Sequence, residues 1–438
     1  MSARDRKLLM LLGAGSSINV GMPPVSEVNS LMQSWAAEEG VCDGGRYRPN
    51  YYDRAWRAVA DHLAPWPVSC ERGANFELAL GAMIGLANWV RPRPHGQALR
   101  DLVGAREIVP AFFVEDGLNE MSFHRFGASV AVTTQYVNLL VRMAEEMRAR
   151  CRRIRAEHGA DLDRYADFLR RLREHFEVGV YSLNYDDAAL QAWPEAYVGF
   201  SDLVDDADGC RAFDPRALHA RREWGFIYHL HGNVHFTLPD REHRRGVFQD
   251  RIKWRDDLGG AFVDGTHGSS ILDDRSDGNE IPITTLVAGG QKLDQLLGDP
   301  FQSTYAALVR HVHEADAFLI AGYGFGDAHV NRALLTRMTR GDEAPPVMIL
   351  ERTRDDRPTM ISRDDGWPHR LLSALAVGGQ GFRPIPGTVA GVKRRGEFET
   401  AMDRVAVWHN GFLEAAERLD AVIGWLNGNR QAVRPAPA

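Results

Sequence analysis

The polar side chains that could do chemistry follow apolar segments of the sequence. Asn184 and Asp186 come at the end of the apolar segment 177–183, and His231 follows the segment 226–230. A histidine with an ordinary pKa of about 6.5 takes up and releases a proton near neutral pH, so His231 is a candidate general base. Asn and Asp also begin helices readily, and taken alone that pair favours a helix cap.

A metal site is a further possibility at the histidines. His229 and His231 alternate along a predicted strand and so share one face, and His235 could add a third ligand. No acidic or cysteine side chain has suitable spacing near them, and a lone histidine in an apolar core is the other alternative. We therefore predict no metal ligands in this segment.

A glycine-rich loop lies near the start of the chain. Gly13, Gly15 and Gly21 follow the apolar run 8–13 and precede a helix predicted from about residue 25. Glycine lets the backbone approach a phosphate closely, and a helix amino terminus offers free N–H groups. The usual dinucleotide fingerprint has a third glycine where Ile18 stands, and no Lys-Ser/Thr pair marks an ATPase loop. A plain strand-to-helix turn remains the alternative.

Short apolar runs indicate the strands that place these residues. They lie at 8–13, 177–183, 226–230, 284–288, 317–321 and 347–350, with helical segments between several of them. Strands that alternate with helices predict an α/β fold with a Rossmann-like, doubly wound, mostly parallel sheet. The carboxyl ends of the strands line the ligand crevice of such a sheet, and Asn184, Asp186 and His231 are predicted there.

The predicted core consists of residues 1–50 and 176–385. Residues 51–175 are predicted to form a helical insertion, because charged residues recur there at helical spacing. Residues 386–438 are predicted to form a C-terminal helical region with a frayed tail. The stretch 237–282 is rich in Asp, Gly, Arg and Ser, and a loop of that length is usually a functional lid or a disordered excursion.

The composition excludes several classes of protein. The net charge of -7 over 438 residues gives no basic surface for direct nucleic-acid binding. The four cysteines lie far apart without a CxxC pair, which argues against a disulfide scaffold and fits a reducing cytoplasm. No apolar run reaches the roughly 18–20 residues that a membrane span needs. The short apolar start runs into the glycine loop, unlike a signal peptide, so we expect a cytoplasmic protein.

Three groups of residues resemble the sirtuins. The loop matches the sirtuin pattern GAGxSxxxGxP at Gly13, Ala14, Gly15, Ser17, Gly21 and Pro23. The segment SLNYDD is similar to the Gln-Asn-Ile-Asp segment of sirtuins at Asn184 and Asp186, with Leu183 in place of the glutamine. The segment 230–232 matches their Leu-His-Gly segment.

A fourth segment resembles a bacterial branch of sirtuin-like defence proteins. IAGYGFGDAHVN, at 320–331, is similar to their GYSFGDxHxN signature, with Gly324 where serine is usual. Asp327 in this segment is interpreted as the cap of the following helix. The segments 74–80 and 291–301 resemble the same branch more weakly.

The resemblance implies that NAD is the substrate. The NAD-binding residues that it predicts, with Asp186 accepting a hydrogen bond from the nicotinamide amide, are Gly13, Ala14, Gly15, Ser17, Pro23, Asp186, Gly322 and Gly324. The predicted catalytic residues are Asn184, which would orient the ribose or the attacking water, and His231, which would act on a ribose hydroxyl. Zinc is not expected, because the chain lacks the two CxxC pairs that hold the zinc module of deacylating sirtuins.

The predicted activity is that of an NAD hydrolase, which yields ADP-ribose and nicotinamide. An ADP-ribosyltransferase or an NAD-dependent deacylase is one alternative, and a non-catalytic nucleotide-binding scaffold or sensor is another. The resemblance also implies an NAD-depleting effector of bacterial antiphage defence. Such effectors form homo-oligomers or act with a partner chain such as a HerA-type translocase or a short Argonaute.

Overall fold

The structure is a computed structural model. It describes residues 6–39, 50–63, 73–90, 127–205, 209–238, 252–260, 284–289, 292, 296, 298–338, 344–357, 388–401 and 404–433. Most of the predicted loop at 237–282, and all but the first residue of the tail at 433–438, lie outside the described residues.

The secondary structure follows the predicted alternation of strands and helices. The strands are β1 (Lys7–Leu12), β2 (Glu177–Ser182), β3 (Phe200–Asp205), β4 (Cys210–Phe213), β5 (Phe226–His229), β6 (Phe236–Thr237), β7 (Lys253–Trp254), β8 (Ala317–Ala321), β9 (Val347–Leu350), β10 (Glu399–Ala401) and β11 (Val405–Trp408). The helices are α1 (Val25–Glu39), α2 (Tyr51–Leu63), α3 (Phe76–Val90), α4 (Gly127–Glu157), α5 (Gly159–His175), α6 (Ala188–Ala192), α7 (Pro215–Ala220), α8 (Phe301–Glu314), α9 (Ala328–Met338), α10 (Val389–Arg395) and α11 (Leu419–Leu426).

The main sheet has seven strands in the order β10-β11-β9-β8-β1-β2-β5. All neighbours are parallel except β10 and β11. Taken in chain order, the six parallel strands stand 3-2-1-4-5-6, which is the doubly wound Rossmann order. The order reverses between β1 and β8, so the ligand crevice of the fold is expected at their carboxyl ends. The predicted fold class is confirmed.

Strand β1 is buried on both of its faces. Leu8, Met10 and Leu12 belong to one apolar core, which includes residues of α5 and α11. Leu9 and Leu11 belong to a second core, which includes residues of α8 and α9. Because helices cover both faces of the sheet, its central strand is a continuous apolar run and does not alternate with polar residues.

The predicted helical region forms α2 to α5, and much of it packs in a third core, while α5 belongs to the first. Residues of α1 to α4 form this third core together with Leu286 and Ala288. The segment 284–288 was expected to be a strand, but it is described as isolated bridge residues at Thr284 and Leu286, the latter paired antiparallel with Gly232. It lies between the helices and the carboxyl edge of the sheet, so the helical region supports that edge. The division of the chain into domains stays a prediction.

Two features of the fold go beyond the sequence prediction. A second, antiparallel sheet has the order β3-β4-β7-β6. The C-terminal region is helical at Leu413–Arg418 and Leu419–Leu426, and it also adds β10 and β11 to the main sheet. Among the described residues, no helix is both long and apolar enough to span a bilayer.

Candidate active site

One row of paired residues crosses the carboxyl edge of the sheet. Leu12 on β1 pairs with Ser182 on β2 and with Ala321 on β8, and Ser182 pairs with His229 on β5. Asn184 and His231 are therefore each two residues past equivalent positions of neighbouring strands. The glycine loop that begins at Gly13 starts from the same row. The structure thus brings the predicted polar residues and the glycine loop to one edge.

The glycine loop packs directly against the loop that follows β8. Gly13 N donates to Ala321 O at 2.9 Å, and Gly15 N donates to Gly322 O at 3.1 Å. A Cβ atom on Gly13 would lie 2.6 Å from Gly322 O, and one on Gly322 would lie 2.3 Å from Ser16 N. Gly322 also has a φ of 62°, in the left-handed region that favours glycine. The close approach of two backbones therefore requires glycine here, whether or not a phosphate is bound.

The side chain of Asn184 holds the glycine loop in place. Its Nδ2 lies 3.1 Å from Gly13 O, 3.2 Å from Ser16 Oγ and 3.0 Å from Ser17 Oγ. Asn184 is buried, so these contacts replace hydration that its amide group loses. The position of Asn184 is therefore fixed by the loop.

Asp186 joins the same network. Its Oδ1 accepts hydrogen bonds from Ser17 Oγ at 3.1 Å and from Ala188 N at 3.0 Å. The second bond is made to the first residue of α6, but the N-cap residue of this helix is Asp187, so Asp186 lies one residue before the cap. Burial raises the pKa of Asp186 to about 7. The carboxyl group is therefore partly protonated near neutral pH.

His231 lies in a second cluster at this edge. Its Nε2 lies 3.5 Å from His329 Nε2 and 3.9 Å from Asp327 Oδ1. Burial, and then the nearby Lys292 ammonium, lower the pKa of His231 to about 3. The expectation of an ordinary pKa is corrected: the imidazole is neutral throughout the physiological pH range. A neutral imidazole still has a lone pair that can accept a proton from a reacting group.

A partly buried ion triad adjoins His231. Lys292 Nζ lies 2.6 Å from Asp327 Oδ1 and 2.8 Å from Glu77 Oε1. Burial opposes the charge of Lys292, but the two carboxylates hold its pKa above the ordinary value. The carboxylate of Asp327 thus belongs to an ion pair. Asp327 also lies directly before α9, where its backbone O accepts from Asn331 N at 3.0 Å, and a cap by its side chain stays a prediction. Lys292, Glu77 and His329 received no role from the sequence, although all three lie in the segments that resemble the bacterial branch.

The remaining predicted NAD-binding residues have separate positions. Ala14 begins a 3-10 turn, and Pro23 is buried. Gly324 is exposed, and a Cβ atom added to it would meet no atom within 4 Å. No contact in the described residues ties Gly324 to the network of Asn184.

The histidines do not assemble as the possible metal site considered from the sequence. His229 contacts Asn233 Nδ2, and His235 Nδ1 donates to Arg255 O at 2.7 Å. In the described part of the chain, the group with a spacing that could hold a metal ion is instead His231, Asp327 and His329, whose ligand atoms lie within 4.8 Å of one another. The Lys292 ammonium already provides a positive charge beside Asp327, so we interpret this group as an ion-paired cluster.

The fold and this geometry agree with a family comparison. Residues 178–365 match the family model of the SIR2-like domain. The matched span includes Asn184, Asp186, His231 and the loop at Gly322, and it supports the sirtuin-like resemblance. The glycine loop at 13–23 precedes the span but packs against Gly322 inside it. SIR2-like domains bind NAD, and the match is compatible with an enzyme that uses NAD. No curated protein matches the chain.

Proposed function

We propose that the protein is an NAD glycohydrolase. The bond between C1′ of the ribose and the nicotinamide nitrogen breaks, and its electron pair leaves with nicotinamide. A water oxygen bonds to C1′, and one water proton is released, so the products are ADP-ribose, nicotinamide and a proton. The observation that carries the proposal is that Asn184 and His231 each lie two residues past a paired position of neighbouring strands, beside the paired glycine loops of a SIR2-like domain.

The residues at the edge can divide the work of this reaction. Cleavage passes through an oxocarbenium-like state, as in glycoside hydrolysis, and needs a fixed sugar and a positioned nucleophile. The neutral imidazole of His231 is available to accept a proton from a ribose hydroxyl or from the attacking water. Asn184 cannot move without breaking its contacts to the loop, which makes it a fixed point for orienting the ribose. Asp186 stands next to it, with a carboxyl group that can accept a hydrogen bond from the nicotinamide amide.

Two other functions use the same site differently. An ADP-ribosyltransferase or deacylase would pass the ADP-ribose to a protein or to an acyl group instead of to water. Deacylating sirtuins carry a zinc module held by cysteines, and the stretch 237–282 contains no cysteine. A nucleotide-binding scaffold would bind NAD without cleaving it. We favour water as the acceptor because the chain lacks the cysteines of that module.

The first experiment is to measure nicotinamide and ADP-ribose released from NAD by the purified full-length chain. We expect equal amounts of the two products. In His231→Ala and in Asn184→Ala, we expect the rate of nicotinamide release to fall by about 100-fold or more. His219→Ala is a matched control because His219 is exposed on α7. Each variant must keep the circular dichroism spectrum of the parent protein.

The outcomes separate the three functions. Wild-type activity in His231→Ala would refute the proposed catalytic role of that residue. Nicotinamide release with ADP-ribose attached to a protein would indicate a transferase, and loss of an acyl group would indicate a deacylase. Calorimetric binding of NAD without release would favour the scaffold.

We further propose that this activity depletes NAD as part of antiphage defence, in a homo-oligomer or with a partner chain such as a HerA-type translocase or a short Argonaute. This role is supported by the resemblance to bacterial defence proteins. We expect infected cells that express the protein to lose NAD and to restrict the phage, and cells with His231→Ala to do neither. Unchanged NAD in protected cells would refute this role.

A further inference from the structure

The ammonium of Lys292 and the imidazole of His231 face the same carboxylate oxygen. Oδ1 of Asp327 lies 2.6 Å from Lys292 Nζ but 3.9 Å from His231 Nε2. The first distance is a charge-assisted hydrogen bond, and the second is beyond hydrogen-bond range. Lys292 and Asp327 are both largely buried. The Asp327 carboxylate is therefore hydrogen-bonded to Lys292 and not to His231 Nε2.

Glu77 fixes the position of the ammonium. It accepts from Lys292 at 2.8 Å and belongs to the first turn of α3, in the helical region. The amide of its neighbour Phe76 donates to Asn29 Oδ1 at 2.9 Å, which ties the start of α3 to α1. Lys292 is thus held between a helix of that region and the loop after β8.

We propose, on the basis of the proposed NAD glycohydrolase activity, that Lys292 is a positioning residue for His231. Anchored on Glu77, its ammonium holds the Asp327 carboxylate away from the imidazole. The described contact of His231 Nε2 is then the 3.5 Å one to His329 Nε2, and the imidazole stays neutral and able to take a proton during the reaction.

Removal of the ammonium changes the partner of Asp327. A buried carboxylate without a counter-ion is strongly unfavourable. Two neighbouring imidazoles, those of His231 and His329, can become cations, and we expect His231 to take the proton because its Nε2 lies 3.9 Å from Oδ1 of Asp327. Asp327 then pairs with a protonated His231, and a protonated imidazole cannot act as a base. Among the residues that the structure describes, the charged and titratable side chains that act on His231 are Lys292, Asp327 and His329. Since Lys292 opposes protonation and Asp327 favours it, loss of Lys292 shifts the balance toward the imidazolium.

The test compares Lys292→Met, Lys292→Arg and the double variant Lys292→Met/Asp327→Asn. The matched control is Lys7→Met, because Lys7 also pairs with a carboxylate, that of Glu314 at 3.0 Å, but lies at the amino edge of β1. Activity is measured as kcat and KM for nicotinamide release across a range of pH. The protonation of His231 is measured separately from imidazole ¹⁵N shifts, assigned with His231→Gln.

We expect Lys292→Met to lose activity mainly in kcat, by at least about 100-fold, and to regain it as the pH rises and His231 loses its proton. Lys292→Arg keeps a cation and recovers part of the activity. The double variant also recovers activity, since it removes the carboxylate that would charge His231. Lys7→Met keeps the wild-type kcat. A structural role for Lys292 alone predicts no recovery from the second substitution.

The ¹⁵N shifts decide the proposal independently of turnover. A neutral His231 in the wild type and a protonated one in Lys292→Met at neutral pH support it, even if the wild type releases no nicotinamide and the proposed activity fails. An unchanged His231 in Lys292→Met overturns it. A rise in KM with an unchanged kcat also overturns it, because Lys292 would then bind NAD and not position the base.

Discussion

The contact between the two glycine loops leads to a quantitative prediction for Gly322→Ala. An alanine at this position would have to adopt the left-handed backbone conformation, at a φ of 62°. Its Cβ atom would lie 2.3 Å from Ser16 N and 2.4 Å from Gly15 Cα. The left-handed conformation costs an L-residue roughly 1–2 kcal/mol. Overpacking adds about 1–3 kcal/mol, and these neighbours are backbone atoms that cannot rotate away. We therefore expect the free energy of unfolding to fall by roughly 2–5 kcal/mol.

Gly324→Ala is the matched control, two residues further along the same loop. A Cβ atom there would meet nothing within 4 Å, and Gly324 is not among the glycines with a positive φ. We expect the free energy of unfolding to change by less than about 1 kcal/mol, with a small gain from the stiffer unfolded chain. Urea denaturation of both variants measures the difference. Equal stabilities for Gly322→Ala and Gly324→Ala would refute the interpretation that the loops require glycine at their contact.

Two further predictions concern pH. Burial raises the pKa of Asp186 to about 7, so the folded state keeps a proton that the unfolded chain releases above about pH 4. The stability of the wild type relative to Asp186→Asn should therefore fall as the pH rises from about 4 to 7. A difference in stability that stays constant with pH in urea denaturation would contradict this. His409 Nε2 lies 2.8 Å from Glu399 Oε2, and although burial opposes its charge, Glu351 and Glu399 raise the pKa of His409. This pair should stabilise the protein fully below about pH 6.5 and less as the pH rises through the raised pKa. Glu399→Gln should then cost about 3 kcal/mol near pH 6 and less at alkaline pH, and an equal cost at both would argue against a charged pair.

The sequence predicts the part of the site that depends on single strands. Leu8 to Leu12 form a continuous apolar run, which identifies a strand covered on both faces. Asn184 and His231 follow runs of the same kind, and the carboxyl ends of parallel strands meet at one edge. Their adjacency could therefore be predicted without the structure.

The sequence does not predict the contacts between distant segments. The ion triad joins residues 77, 292 and 327, and no local spacing relates them. The pKa of His231 depends on this triad and on burial, so the ordinary value assumed from the sequence was wrong. Strand β11 was missed for a similar reason. Its four residues, Val405–Trp408, are too short to show a period, and they pair in parallel with β9, far away in the sequence.

The polar residues of the site belong to two networks, one bonded to the glycine loop and one outside it. This difference affects how their substitutions are interpreted. The side chains of Asn184 and Asp186 make their described hydrogen bonds to the glycine loop and to the first turn of α6. Removal of Asn184 therefore disturbs the shape of the loop as well as any chemistry. The described side-chain contacts of His231 are instead to His329 and Asp327, outside that loop. A loss of activity in His231→Ala that leaves NAD affinity unchanged would thus point to a step at the reacting atoms, and His231 is the better first probe of the reaction.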